Sequence, residues 1–146
     1  MEFEDAIASL AEDIGQDMAI EDGVAKFAAT AEGDGQVEVT VSAMDDGESA
    51  LLCADLGEMP SEGGNELMLS MLEANHLFAS TGGATLSVDG GRVKLERYVG
   101  LAELQRGAGA GIFASFARAA LEWRVVVAGE DGRVAGEDGF KIGVKY

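Results

Sequence analysis

The segment "NELMLSMLEANHLF", Asn65–Phe78, constrains the fold more than any other stretch of the chain. Its apolar residues Leu67, Met68, Leu69, Met71, Leu72, Leu77 and Phe78 run almost completely round a helix. A helix that is apolar on every side must be covered on several sides. One sheet covers one side only. A second surface is needed, and a partner subunit is the simplest supplier. The segment therefore predicts assembly through Leu67, Met68, Leu69, Met71 and Leu72, with a homodimer as the expected product.

The flanking sequence supplies the rest of the architecture. Near the N-terminus, Phe3, Ile7, Leu10 and Ile14 recur at helical spacing, with Glu4, Asp5, Glu12 and Asp13 off that face and Gly15 as the stop. Three strand candidates follow. "GVAKFAAT" is the first. "QVEVTVSA" puts Val37, Val39 and Val41 on one face. "SALLCADL" is apolar on both faces and reads as central. Between them "EGDG" and "DDGE" have the glycine and aspartate composition of hairpin turns, so the three form an antiparallel meander. After Gly82 and Gly83, "ATLSVDGGRVKLERYV" reads as a second hairpin. A last helical segment runs from Leu101 to about Val127, and its "RGAGAG" predicts a break or fraying at Gly107–Gly111. The order is helix, three strands, helix, two strands, helix: an α+β fold with an antiparallel sheet. Residues 1–127 form one domain. Residues 128–146 form an acidic, glycine-rich extension; "VAGEDG" occurs at Val127–Gly132, across that boundary, and again at Val134–Gly139.

The charge of −17 is unevenly placed. Met1–Gly91 holds twenty acidic residues against Lys26 alone, whereas Arg92–Tyr146 holds nine basic against seven acidic. Such a surface repels nucleic-acid phosphates and anionic membranes, and it can steer a basic partner. No window reaches 18 apolar residues, so no membrane insertion is expected. The N-terminus lacks the basic start and long apolar run of a signal peptide. The single cysteine, Cys53, excludes an internal disulfide and reads as a buried small hydrophobe. The expected location is the cytoplasm.

No catalytic constellation emerges. His76 has no second histidine or cysteine for a metal site and no obvious nucleophile to activate. "GAGAG" lacks the lysine and hydroxyl residue of a phosphate loop. The tail's acidic turns lack the spacing of a calcium loop. Neither an enzyme nor a cofactor is expected.

The stretch "LMLSMLEANHLFASTGGATLSVDGGRVKLERYVGLAEL", followed by "IFASFARAALEW", resembles the class I type III secretion chaperones, the Tir-chaperone-like family. The resemblance rests on a leucine-rich helix ending in Leu72-Glu-Ala-Asn75, a glycine-bracketed hairpin from Gly82 to Leu95, and a final helix ending near Trp123. "ALLCADLGEMP" is similar to that family's third strand and exit loop. It implies an acidic cytoplasmic homodimer that binds the N-terminal region of a secreted effector and keeps it non-globular for export, without ATP. It also implies a client lying along the first helix and first strands, at Phe3, Ile7, Leu10, Ile14, Val24 and Phe27. The other reading of those residues is that all belong to the core. The alternative function is a regulatory or protein-binding module of the same fold unconnected with secretion.

Overall fold

The computed structural model describes residues 2–17, 19–30, 35–77 and 81–129. Helix α1 (Phe3–Ile14) carries Glu4 and Asp5 in its first turn, where negative charge complements the helix dipole. It stops at Gly15, whose φ of 72° is left-handed. The Gln16 N–H then donates back to Ala11 O at 3.0 Å, the bond that closes a Schellman cap.

Six strands follow in one antiparallel sheet: β1 (Ile20–Glu21), β2 (Val24–Thr30), β3 (Gln36–Ala43), β4 (Ser49–Glu58), β5 (Thr85–Asp89) and β6 (Arg92–Gly100). Helix α2 (Gly64–Leu77) separates β4 from β5. The spatial order is β1-β2-β3-β4-β6-β5. The β2–β3–β4 meander and the β5–β6 hairpin are as the alternation predicts, and β4 lies near the centre between β3 and β6. One strand is additional. The two-residue β1 folds onto β2 through Asp22-Gly23, both at positive φ (54° and 75°), the twist that tight hairpins require.

Along β2, β3 and β4 alternate residues are buried: Ala25, Phe27 and Ala29; Val37, Val39 and Val41; Ala50, Leu52, Ala54 and Leu56. On this face lies α4 (Gly109–Ala128), which packs across β2, β3, β4 and β6. Phe113 meets Phe27 edge to face, with ring centroids 5.9 Å apart. Phe116 and Trp123 are fully buried. Truncating either to alanine is expected to cost about 3–5 kcal/mol. Helix α1 packs in turn against α4 and the segment before it.

The last helical region is interrupted, and earlier than the composition predicts. Leu101–Glu103 forms α3, Leu104–Ala108 is a π-helical turn, and Gly107 sits at φ 79°. Helix α4 then begins at Gly109. A Cβ on Gly109 would lie 3.0 Å from Leu10 Cδ1 and 3.1 Å from Leu104 O. This glycine is therefore what lets α1 approach α4. "GAGAG" acts here as a packing surface as well as a break. Helix α4 is capped by Gly129 (φ 65°); the remainder of the repeated tail, residues 130–146, lies outside the described residues.

Candidate functional site

The two ends of the sheet differ. Strand β1 pairs with Val24 and Ala25 only, so β2 extends past it from Lys26 to Thr30. On that stretch a side chain takes the place of a strand. Gln16 Nε2 donates to Ala28 O at 2.7 Å, and Ala28 N–H donates to Gln16 Oε1 at 3.0 Å. A carboxamide has the same donor and acceptor as a peptide group, so it can complete one rung of a ladder.

Beside this edge lies an open groove of about 600 Å³ between the end of α1, β2 and α4. Ile14, Ala29, Phe113, Ala117 and Leu121 supply apolar wall, Gln16 and Ala28 line the edge side, and Arg118 and Glu122 flank it as an i,i+4 pair at 3.8 Å. An exposed main-chain edge beside apolar pockets is the arrangement that accepts an extended peptide: backbone bonds hold the strand and alternate side chains enter the groove.

Of the residues expected to meet a client, Ile14 lines this groove. Phe3 is half-buried and packs on the core. Ile7 and Leu10 are fully buried where α1 meets its neighbours, and Phe27 is buried against Phe113. These three lie in the subunit's core. Val24 is half-buried and pairs with Glu21. The α4 wall, Phe113, Ala117 and Leu121, was not among the expected residues. Its helical spacing is visible, but nothing in the sequence indicates that it meets β2.

Helix α2 divides similarly. Leu67, Met71 and Ala74 are buried, and Leu67 and Met71 thus belong to the subunit's own core. Met68, Leu69 and Leu72 are 40%, 61% and 66% exposed. Leu69 and Leu72 flank a shallow groove with Glu66, Glu73 and His76. Phe78 lies outside the described residues. The helix is fixed to the far edge of the sheet by Asn75. Its Nδ2 donates to Leu86 O at 2.9 Å, and Leu86 N–H donates to its Oδ1 at 2.8 Å. This gives the "LEAN" ending of α2 a physical role: Asn75 joins the helix to β5.

The glycine corner is equally specific. Gly82 O accepts from Arg97 Nη1 at 3.0 Å, and a Cβ on Gly82 (φ 64°) would lie 2.7 Å from Ser115 Oγ. The corner is thus pinned between β6 and α4.

The opposite face of the sheet carries a charged cluster. Asp55 accepts from Arg92 Nε at 2.8 Å and from Lys94 Nζ at 3.2 Å. The Arg92 bond, helped by the Gly57 N–H and by Lys94, outweighs partial desolvation and holds the Asp55 carboxyl at about 2. Cys53 lies on β4 and is half-buried, not part of the core. Desolvation, reinforced by Glu96, raises its thiol pKa. A thiol so disposed is a poor nucleophile. His76 is exposed in the last turn of α2. Among the described residues no group of three or more His, Cys, Asp or Glu could hold a metal ion, and no helix is long and apolar enough to cross a membrane.

Solved structures share this architecture. The HopA1-SchA chaperone-effector complex contains a chain 16% identical, with a TM-score of 0.60, covering 86% of this chain and 91% of that one. A chain of the ExsC-ExsE complex is 19% identical with a TM-score of 0.63, covering 87% and 97%. A chain of the heterodimeric ExoU-SpcU complex of the type III secretion system of Pseudomonas aeruginosa is 18% identical with a TM-score of 0.57, covering 83% and 93%. No curated protein sequence gives a significant match. The sequence profile of one family spans residues 5–124, from early in α1 to late in α4, and the chain belongs to that family, the Tir chaperone protein (CesT) family.

Proposed function

We propose that this protein is an effector chaperone of type III secretion. It holds an extended segment of its client along the β2 edge and in the groove between α1 and α4. The observation that carries the reading is the meeting of Lys26–Thr30, which extend past β1, with an apolar groove lined by Ile14, Phe113, Ala117 and Leu121. Family membership supports the client class: two of the related structures are named as chaperone-effector and type III secretion complexes. The client segment is apolar at alternate positions and basic between them. The acidic excess of residues 1–91 favours such a segment and repels an acidic one. The work is binding, in the cytoplasm, with no chemistry and no ATP.

The functional unit is a homodimer through the exposed face of α2, Met68, Leu69 and Leu72. Apolar side chains this exposed on neighbouring turns favour a protein partner over water. Leu67 and Met71 support that face from within.

Hydrogen exchange on the full chain, with and without the effector segment that co-purifies from the native host, tests the reading. The expected result is new protection at Val24–Thr30 and at the end of α1. Protection confined to α2 would mean that the client lies elsewhere.

A further inference from the structure

The client site described above is already occupied at one rung. Gln16 bonds both the N–H and the carbonyl of Ala28, which is the bond pair an added antiparallel strand would make there. Gln16 also lines the groove that the client's side chains would enter. We propose that Gln16 is a latch on the β2 edge: its carboxamide holds a main-chain position that the client strand must take, so capture requires its release. This inference rests on the reading of β2 and the groove as the client site.

Three features suit Gln16 to opening. Both of its bonds are solvent-exposed, so water can replace them as they break. Its carrier is a short connection: α1 has ended at the left-handed Gly15, and β1 begins only at Ile20. The strand itself needs no rearrangement, because Ala28 keeps its register with Glu38 on β3. Release therefore requires a side-chain rotation and no unfolding. The latch also shields the edge between clients. An unpaired strand edge beside apolar wall invites pairing with other chains, and a carboxamide on the central rung interrupts that template. Selectivity follows: a segment that cannot form main-chain bonds across Ala28 gains nothing from displacing Gln16.

The test uses the full chain and a defined probe, an acetylated and amidated decapeptide of alternating valine and lysine. Gln16→Ala removes the latch and Gln16→Met removes its hydrogen bonds at similar length. Both are expected to bind the probe about fivefold more tightly, the scale of one net hydrogen bond. In the unmodified protein, the Gln16 side-chain NH2 signals should move from a bonded to a free position as the probe saturates the site. Movement of those signals, or binding by the variants alone, supports the latch. Binding with the Gln16 signals unmoved, or with either folded variant weaker than the unmodified protein, overturns the latch while leaving the client site in place. Absence of binding to all three proteins at millimolar probe overturns the client-site reading and the latch with it.

Discussion

The two edges of the sheet are closed by the same chemistry to different effect. At β2 the carboxamide of Gln16 pairs with Ala28, and at β5 the carboxamide of Asn75 pairs with Leu86. All four bonds lie between 2.7 and 3.0 Å. What differs is the carrier. Asn75 stands on a fourteen-residue helix anchored by Leu67, Met71 and Ala74, and its bonds are partly buried. Gln16 stands just past the end of α1, held by the single bond from its N–H to Ala11 O, and its two side-chain bonds are solvent-exposed. A hydrogen bond persists as long as the structure holding its two ends together, so identical geometry gives a fixed joint at one edge and an openable one at the other.

The most damaging way to probe this contrast is to remove each carboxamide. Asn75→Ala leaves the N–H and carbonyl of Leu86 partly buried without their partner, which is expected to cost about 2–4 kcal/mol of stability. Gln16→Ala exposes Ala28 to water and should cost under about 1 kcal/mol. Denaturant midpoints of the two variants check this, and equal losses would break the comparison. Next in size is the assembly surface. If the proposed homodimer forms through α2, Leu69→Asp combined with Leu72→Asp should yield monomer, a loss of at least about 2 kcal/mol in association. Gln16→Ala should leave the sedimentation coefficient unchanged. On the β2 side salt should act through the on-rate. Raising ionic strength from about 0.05 to 0.5 M shortens the screening length severalfold and should slow capture of a basic client roughly tenfold. The off-rate should change little, as stopped-flow mixing would show.

The smallest effect sharpens the contrast as a control, since Asp55 lies mid-sheet and away from both edges. Its folded pKa of about 2 lies below the ordinary 3.8, so its contribution is complete above about pH 4 and is lost as pH falls through 2. The carboxylate is 39% exposed, and screening limits the contribution to a few tenths of a kcal/mol. Stability curves of the protein and of Asp55→Asn should therefore converge on acidification by only that amount. Client binding and assembly should be untouched.

The regular parts of this fold were legible because their periods are. Val37, Val39 and Val41 announce one buried face of β3, and the two-sided apolar character of β4 announces its central place. The division of α2 was also legible in part. Leu67, Met71 and Ala74 stand at i, i+4 and i+7, the inward stripe, while Leu69 and Leu72 stand off it. Reading the helix as uniformly apolar hid that division. The joints were not legible. A glutamine after a glycine stop and an asparagine near a helix end have no period, and their partners Ala28 and Leu86 are defined only once the sheet exists. The groove was hidden for the same reason. Ile14 and Leu121 are far apart in sequence, and only the close approach of α1 and α4 at Gly109 makes them walls of one cleft.

The strand order has a consequence in time. β4 pairs with β6, so one long side of β4 stays bare until α2 and β5 have also been synthesised. The helix that covers the sheet's buried face, α4, comes later still. The β2–β4 meander can zip through local turns within microseconds, but it then waits on the ribosome for seconds with Val39, Val41 and Leu52 uncovered. Through that interval the apolar face of the meander lacks the helix that covers it in the finished fold.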